Sequence, residues 1–376
     1  MRLTVVTLSG RELAAFEADA TWGKREICAH VLRLEGSLLR SARLVYQSRI
    51  LSDQDTLAGI GVMEAATITI IVDVHHAFVL LTSSDDHTAK VWSVETGEEL
   101  LTLVGHGDSV TCVAMSSDGG LLVTAAANGV AKAWNGGTGE CFLTVRAADE
   151  FSGIDSVAVS ECRAHFATAS MASGVATLWG LEGTDPLGVW LHEDVRRVAF
   201  SPTSRFAMTV AFDGSQKMWD VATGHCLRTL ERNCMTLDAA FSLNGETMLL
   251  APFADAVELT SMRTGECLLE LDHGGETAIA VAMTPSGDAA LTVTSDGAVS
   301  VWSTETGECN FKVDSDASIR TVCFVTSGGA RMFATGSDSG NVKIWDLATG
   351  RFLRLVEAHT DAVRSMVGVS SAAVGL

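Results

Sequence analysis

The sequence predicts an all-β, seven-bladed β-propeller preceded by a small α+β roll. Three observations lead to this prediction. Tryptophan returns about every 42 residues, a glycine turn follows most of these tryptophans, and the first 72 residues show neither feature. Self-similarity at such a period is typical of blades that stack around a ring.

Each repeated tryptophan ends a short run of alternating apolar residues, as in Ala89-Lys90-Val91-Trp92 and Val342-Lys343-Ile344-Trp345. One interval, between Trp219 and Trp302, is twice as long as the others, and the period predicts that Leu259 takes the tryptophan position within it. Seven units result. The remaining tryptophans of the series are Trp134 and Trp179.

Three turn signals divide each unit. A glycine turn such as Thr96-Gly97-Glu98 follows the tryptophan, and a second turn such as Ser116-Ser117-Asp118-Gly119 lies midway. In several units an Asp or Asn, for example Asp86 or Asn128, stands six residues before the tryptophan. Gly, Asn and Asp favour tight turns because they adopt positive φ or bond their own backbone. Four short strands, the composition of one antiparallel blade, therefore lie between the turns.

Gly105-His106, Trp219-Asp220 and Trp345-Asp346 carry a resemblance to the WD40 repeat family, over residues 77 to about 370. The resemblance implies a protein-binding scaffold in which His, Ser or Thr, Asp and Trp form a hydrogen-bonded chain inside a blade. His106 and His359 fit the histidine position of that chain, and His273 is a third candidate. The unit around Leu259 departs from the family pattern because it lacks tryptophan.

The two ends of the repeat region complement each other. The first unit begins at Ala77 with its second strand, whereas the segment from His359 to Val369 resembles a first strand without a blade of its own. The C-terminal strand is therefore predicted to complete blade 1, which closes the ring and leaves no open sheet edge. Residues 77–370 form the propeller, and 371–376 form a short tail.

The N-terminal residues 1–72 are predicted to fold separately. Two strands, a helix from about Thr21 to Glu35 and two further strands, at 43–46 and 67–72, follow one another. The linker, residues 73–76, is too short for a flexible tether, so we expect a restricted orientation of the two domains.

Several stretches of this domain resemble ubiquitin, among them Thr7-Leu8-Ser9-Gly10, Glu35-Gly36, Arg43-Leu44-Val45-Tyr46 and the segments 52–57 and 66–72. The resemblance implies a ubiquitin-like domain whose partner-binding patch maps to Leu8, Val45 and Ile71, with Thr69 where ubiquitin has histidine. The alternative is that these are ordinary exposed strand residues. No Gly-Gly tail is available for conjugation, because Val72 leads into Asp73.

A second candidate binding surface lies where the first strand of each blade starts, at one mouth of the central channel. The residues predicted at this level are Arg364, Thr111, Asp155, Arg196, Leu237, Ile279 and Arg320. Guanidinium groups at Arg196, Arg320 and Arg364 suit carboxylates or phosphorylated side chains, which they bind with two parallel hydrogen bonds. The alternative is that each pairs with a local acid, such as Asp194, Asp316 or Asp361.

Charge and composition restrict the function. The net charge is −20, and residues 1–72 carry none of it, with 8 basic and 8 acidic side chains. Such a field repels phosphate backbones and anionic lipids, so neither nucleic acid nor a membrane is expected as a partner. The nine scattered cysteines contain no C-x-x-C pair and fit a reducing compartment. We expect a cytoplasmic monomer, with the nucleus as the alternative compartment, and neither a metal nor a cofactor.

Three hypotheses about function follow. The first is an adaptor whose propeller holds a client protein while the ubiquitin-like domain docks on a ubiquitin receptor, ligase or proteasome component. The second is a general assembly or signalling scaffold with a purely structural N-terminal domain. The third is a propeller hydrolase, although the sequence contains no recognisable catalytic motif. A non-enzymatic scaffold is therefore the prediction.

Overall fold

Two compact units make up the chain, and each is described separately. The computed structural model describes residues 2–6, 12–17, 19, 22, 42–46, 49–50, 66–72 and 78–370, the last range without 149–151, 233, 243–244, 285, 314–318 and 328–329. The regular elements of these residues are all β-strands. They include no helix that is long and apolar enough to cross a membrane.

The N-terminal unit contains one mixed sheet. Its strands are β1 (Arg2–Val6), β2 (Glu12–Glu17), β3 (Ala42–Tyr46), β4 (Arg49–Ile50) and β5 (Ala66–Val72). Their order across the sheet is β2-β1-β5-β3-β4, with β1 and β5 parallel and the other neighbours antiparallel. The predicted helix from Thr21 to Glu35, the linker and Leu8 lie outside the described residues.

The second unit is a seven-bladed β-propeller, as predicted, and each blade is a four-stranded antiparallel sheet. Blade 1 contains β6 (Phe78–Ser84), β7 (Ala89–Ser93) and β8 (Glu99–Leu103), and blade 2 contains β9 (Val110–Met115), β10 (Leu121–Ala126), β11 (Val130–Asn135) and β12 (Cys141–Arg146). Blade 3 contains β13 (Ser156–Val159), β14 (His165–Ser170), β15 (Val175–Gly180) and β16 (Pro186–Leu191). Blade 4 contains β17 (Val195–Phe200), β18 (Phe206–Ala211), β19 (Gln216–Asp220) and β20 (Cys226–Leu230). Blade 5 contains β21 (Thr236–Phe241), β22 (Thr247–Pro252), β23 (Val257–Ser261) and β24 (Cys267–Leu271). Blade 6 contains β25 (Ala278–Met283), β26 (Ala289–Thr294), β27 (Val299–Ser303) and β28 (Cys309–Val313). Blade 7 contains β29 (Ile319–Ser327), β30 (Ala330–Ser337), β31 (Asn341–Asp346) and β32 (Phe352–Glu357).

The last strand of the chain completes the first blade. This strand, β33 (Val363–Ser370), pairs antiparallel with β6, so that the sheet order of blade 1 is β33-β6-β7-β8. Val367 lies opposite Leu81 in this pairing, and Ser370 lies opposite Phe78. The prediction that the C-terminal strand closes the ring is therefore confirmed.

The tryptophans fill the junctions between neighbouring blades. Trp92 of blade 1 shares a buried cluster with Ala334 and Ile344 of blade 7. Trp219 of blade 4 packs in the same way with Ala167 of blade 3. A bulky, flat side chain on one sheet thus meets a smaller residue on the next sheet, which lets the two faces pack at the density of a protein core.

Blade 5 departs from this arrangement, and one prediction about it is wrong. Each repeated tryptophan pairs with the first residue of the outer strand of its blade, as Trp219 pairs with Cys226. In blade 5 the residue opposite Cys267 is Thr260, whereas Leu259 pairs with Leu269. The sequence pattern pointed to Leu259 because it is apolar. Thr260 is nevertheless fully buried, and its hydroxyl donates to the Met248 carbonyl at 3.3 Å.

The closing strand has no room for a side chain at Gly368. A Cβ there would lie 2.6 Å from both the Phe324 carbonyl oxygen and Val325 of blade 7. We predict that Gly368→Ala lowers the free energy of unfolding by about 1–3 kcal/mol through overpacking. Equilibrium urea unfolding measures this loss. Gly183→Ala is the control, since no atom lies within 4 Å of its Cβ position; equal stability of the two variants would contradict the tight closure.

Candidate functional site

The first strands of all seven blades converge on a polar cavity of about 260 Å³ at one mouth of the central channel. Five of the seven residues predicted at this level line it: Thr111, Asp155, Ile279, Arg320 and Arg364. The structure therefore brings these residues together, while their part in binding stays a prediction.

Arg196 and Leu237 do not line the cavity, and the structure corrects their predicted place. The next residue of each strand, Arg197 in β17 and Asp238 in β21, lines it instead. The Arg196 guanidinium lies over the Phe212 ring, 5.5 Å from its centroid. The register shift at Arg196 does not explain its place, because the same shift occurs at Arg320 and Arg364, which do line the cavity.

Arg320 and Arg364 occupy neighbouring blades at the mouth. Nε of Arg320 donates to Oδ1 of Asp338 at 2.7 Å, and Nη2 of Arg364 donates to Oδ2 of Asp85 at 2.5 Å. The two arginine side chains are 52% and 45% exposed, so solvent and a partner can reach them. The alternative predicted from the sequence, pairing with a local acid, holds for both, but with acids other than those suggested.

The charges at this half of the mouth influence one another. The hydrogen bond from Arg320 to Asp338 raises the pKa of Arg320, and the positive charge of Arg364 opposes that rise. The bond to Asp85 likewise raises the pKa of Arg364. Both guanidinium groups are therefore charged, and they lie close enough to repel each other.

A different arginine ties the other half of the mouth together. Nε of Arg197 donates to Oδ1 of Asp238 in blade 5 at 2.6 Å, and Nη1 donates to the Asp155 carbonyl in blade 3 at 3.2 Å. Oδ2 of Asp238 accepts the backbone N–H of Val281 in blade 6 at 3.0 Å. Asp238 raises the pKa of Arg197, against the effect of burial. This clasp, Arg197 with Asp238, connects four blades and was not predicted from the sequence.

Thr111 and Asp155 also have structural partners. The Thr111 hydroxyl donates to the Ile154 carbonyl of the next blade at 2.5 Å. Oδ2 of Asp155 accepts the backbone N–H of Met171 at 2.7 Å. Since these contacts hold the mouth in shape, the exposed and chemically accessible donors of the site are the guanidinium groups of Arg320 and Arg364.

The hydrogen-bonded chain that the family resemblance implies is complete in blade 1. Trp92 donates to the Thr82 hydroxyl at 3.0 Å, Thr82 bonds His359 at 2.8 Å, and His359 bonds Asp86 at 2.9 Å. His359 follows the outer strand of blade 7, so this chain also joins the last blade to the first. Hydrogen bonds from Thr88 and the charge of His359 lower the pKa of Asp86, although burial opposes ionisation.

Three further histidines occupy the same position. His106 bonds Thr124 and His273 bonds Thr292, as the sequence predicted. His192 bonds Thr209 in blade 4 at 2.7 Å and was not predicted from the sequence. Burial lowers the pKa of His106 and His192 to about 4. These histidines are neutral at pH 7 and act as structural hydrogen-bond partners.

The exposed side chains of the mouth include hydrogen-bond donors that suit anions. Within the described residues, no group of three or more His, Cys, Asp or Glu side chains could hold a metal ion. The exposed guanidinium pair suits two carboxylates, or one phosphoryl group, presented by a partner. Shape comes from the seven converging strands, and specificity comes from the few polar groups at their ends.

A family model shows what these blades are similar to. The model for the WD domain, G-beta repeat, matches residues 97–135 and 307–346. Each match begins at the glycine turn before an outer strand and ends at the tryptophan strand of the next blade. The chain therefore contains WD40 repeats, as the sequence resemblance indicated.

Known proteins match part of the chain. An uncharacterized WD repeat-containing protein of Schizosaccharomyces pombe is 27% identical over 151 residues, 39% of this chain and 41% of the relative. The nuclear distribution protein PAC1-2 of Uncinocarpus reesii is 28% identical over 157 residues, 40% and 28% of the two chains. Autophagy-related protein 16 of Arabidopsis thaliana is 21% identical over 179 residues, 43% and 32%. In each case less than half of the relative's length is matched.

The clasp has a direct test. We predict that Arg197→Met lowers the free energy of unfolding by about 2–4 kcal/mol, because Asp238 then keeps a buried charge without its cation. The double variant Arg197→Met/Asp238→Leu is expected to recover at least half of that loss, since it removes both charges. Urea unfolding at pH 7 provides the measurement.

A matched control for the clasp is Arg331→Met. Arg331 bonds Asp288 at 2.5 Å, but both side chains are almost half exposed. Exposed pairs of this kind contribute about 0–1 kcal/mol. A loss at Arg197 no larger than the loss at Arg331 would show that the clasp does not connect the blades.

Proposed function

We propose that this WD40-repeat propeller is a protein-interaction scaffold that binds an acidic segment of a client protein at the channel mouth. The observation that carries the proposal is the pair of half-exposed guanidinium groups, Arg320 and Arg364, on neighbouring blades. They lie at the opening on which all seven first strands converge. The chain has 26 basic residues against 46 acidic ones, so two neighbouring arginines at one opening are notable.

The existing ion pairs do not prevent this binding. Asp338 and Asp85 bond the two arginines, but each pair is partly solvated, and exposed ion pairs contribute only about 0–1 kcal/mol. A client carboxylate can therefore replace or share either acid at little cost. The repulsion between the two guanidinium groups adds to the attraction for an anion.

The N-terminal unit is proposed to supply the second binding surface. In this proposal residues 1–72 are a ubiquitin-like domain that docks, through Leu8, Val45, Thr69 and Ile71, on ubiquitin-receptor, ligase or proteasome components. Backbone register supports it, since Val45 pairs with Thr69 between β3 and β5, and Ile71 follows two residues later on β5. Leu8 lies outside the described residues.

A second candidate is the general scaffold without a link to the ubiquitin system. The relatives favour this alternative, because they include a nuclear distribution protein and an autophagy-related protein, and none is named for the ubiquitin system. Under this alternative the channel mouth binds the client as proposed, whereas the N-terminal unit makes no contact with ubiquitin-system proteins. The two candidates thus differ in one surface only.

Quantitative affinity capture from cell lysate, read by mass spectrometry, tests both surfaces with separate variants of the full chain. The Arg320→Gln/Arg364→Gln variant is expected to capture at least about tenfold less client protein, because two charge-assisted hydrogen bonds are lost. Leu8→Ala/Val45→Ala/Ile71→Ala is expected to lose proteasome or ligase subunits while it retains the clients.

The controls match each change in chemistry. Arg331→Gln removes an ion-paired arginine from the opposite end of blade 7. Val104→Ala/Leu187→Ala/Leu227→Ala removes exposed aliphatic groups from the propeller. Clients that persist with the Arg320/Arg364 variant would refute binding at the mouth. Capture without any ubiquitin-system protein would refute the adaptor and leave the general scaffold.

A further inference from the structure

A second cavity lies at the junction of blades 4 and 5, at the opposite end of the first strands from the channel mouth. Its volume is about 320 Å³, at the lower end of the roughly 300–1,000 Å³ of small-ligand sites. Phe200, Phe206, Met208, Met218, Phe241 and Met262 form most of its wall. The cavity is thus apolar, aromatic and rich in methionine.

The cause of this cavity is the missing tryptophan of blade 5. At the junction of blades 7 and 1, Trp92 packs against Ala334 and Ile344. The strand registers assign Met208 and Met218 of blade 4 to the places of Ala334 and Ile344. On blade 5 the tryptophan position is occupied by a buried threonine, Thr260. This junction therefore has large flexible side chains on one sheet and no indole on the other.

Methionine side chains make the cavity adaptable. Met has three rotatable bonds and a polarizable sulfur that contacts aromatic rings favourably, so it fills irregular gaps and repacks around different guests. Met208 is buried, whereas Met218 and Met262 are half-buried and can be reached from the opening. A wall of this composition suits an aromatic ring better than a polar group.

Two arginines border the opening. The Arg228 guanidinium donates hydrogen bonds to two carbonyl groups of blade 5, that of Arg263 and, at 2.9 Å, that of Thr264. The exposed Arg263 guanidinium has neither an ion pair nor a hydrogen bond to any residue in the part of the chain described. An unpaired cation beside an apolar cavity, in a protein of net charge −20, complements an apolar guest with an adjacent carboxylate.

We propose that this cavity binds an aromatic side chain, an indole or a phenyl ring, from an acidic segment of a partner protein. The ring inserts between Met218 and Met262. At the junctions that contain a tryptophan, an indole of the protein itself fills the corresponding space. Arg263 binds a carboxylate that neighbours the ring in the partner's sequence. An anchor in a pocket, with a charged contact at its edge, is the usual form of a small interaction hot spot. Phe241 is a wall residue that this cavity shares with the channel cavity.

The test uses the full chain with ¹³C-labelled methionine methyl groups and a synthetic peptide, a single tryptophan flanked by glutamates. Titration is expected to shift the methyl resonances of Met218 and Met262 through the ring current of the indole. The methyl group of Met332 is the internal control, because it packs at the junction that already contains Trp92. It is expected to stay unshifted.

Two variants of the protein separate the ring from the charge. Arg263→Glu is expected to weaken binding of the peptide at least about tenfold. Arg351→Glu, which changes another exposed arginine, is expected to leave the peptide's affinity unchanged. Thr260→Trp/Met208→Ala rebuilds the tryptophan-alanine packing of the junction between blades 7 and 1 and is expected to abolish the methyl shifts. Arg263→Glu alone decides the case if that double variant does not fold.

Three results would overturn the proposal. The first is the absence of methyl shifts at millimolar peptide. The second is equal binding of the peptide after its glutamates are replaced by glutamine, or its tryptophan by alanine. The third is a shift of the same methyl groups by decanoate but not by the peptide, which would identify the cavity as a fatty-acid site instead.

Discussion

The pairing of β33 with β6 is the constraint on which the rest of the structure depends. It joins the last strand of the chain to the first propeller strand, so blade 1 has four strands like the other six and the ring is closed. The chain of bonds through Trp92, Thr82, His359 and Asp86 strengthens this closure, since it draws on both ends of the propeller. Arg364, half of the proposed client site, belongs to the closing strand itself.

The closed ring has two kinds of junction. Where tryptophan fills the space, neighbouring blades share a closely packed apolar cluster. Where blade 5 lacks tryptophan, the Arg197–Asp238 clasp ties blades 3 to 6 at one end, and a methionine-lined cavity remains at the other. Polar bonding thus offsets the lost packing at one end of the junction. The rigid half of the channel mouth lies beside this clasp, and the exchangeable half lies at the ring closure.

Much of the fold could be predicted from the sequence, because tryptophan spacing and glycine turns repeat with the blades. The turn after Trp92, for example, needs the positive φ of Gly97. Ring closure followed from counting strands at the two ends. The sequence could not show which of two adjacent arginines reaches the channel: Arg196 was predicted there, whereas Arg197 lines it. The same limit applies to Thr260, a buried polar residue that hydrophobic patterning passes over.

The central claim, that β33 is an integral strand of blade 1, is tested most directly by hydrogen exchange with mass spectrometry on the intact protein. Amides that open only with the whole fold exchange much more slowly than those of a frayed terminus. The account predicts that peptides from 363–370 exchange as slowly as those from the second strands of blades 6 and 2, β26 and β10. Exchange of 363–370 within seconds, while β26 and β10 remain protected, would contradict the closed ring.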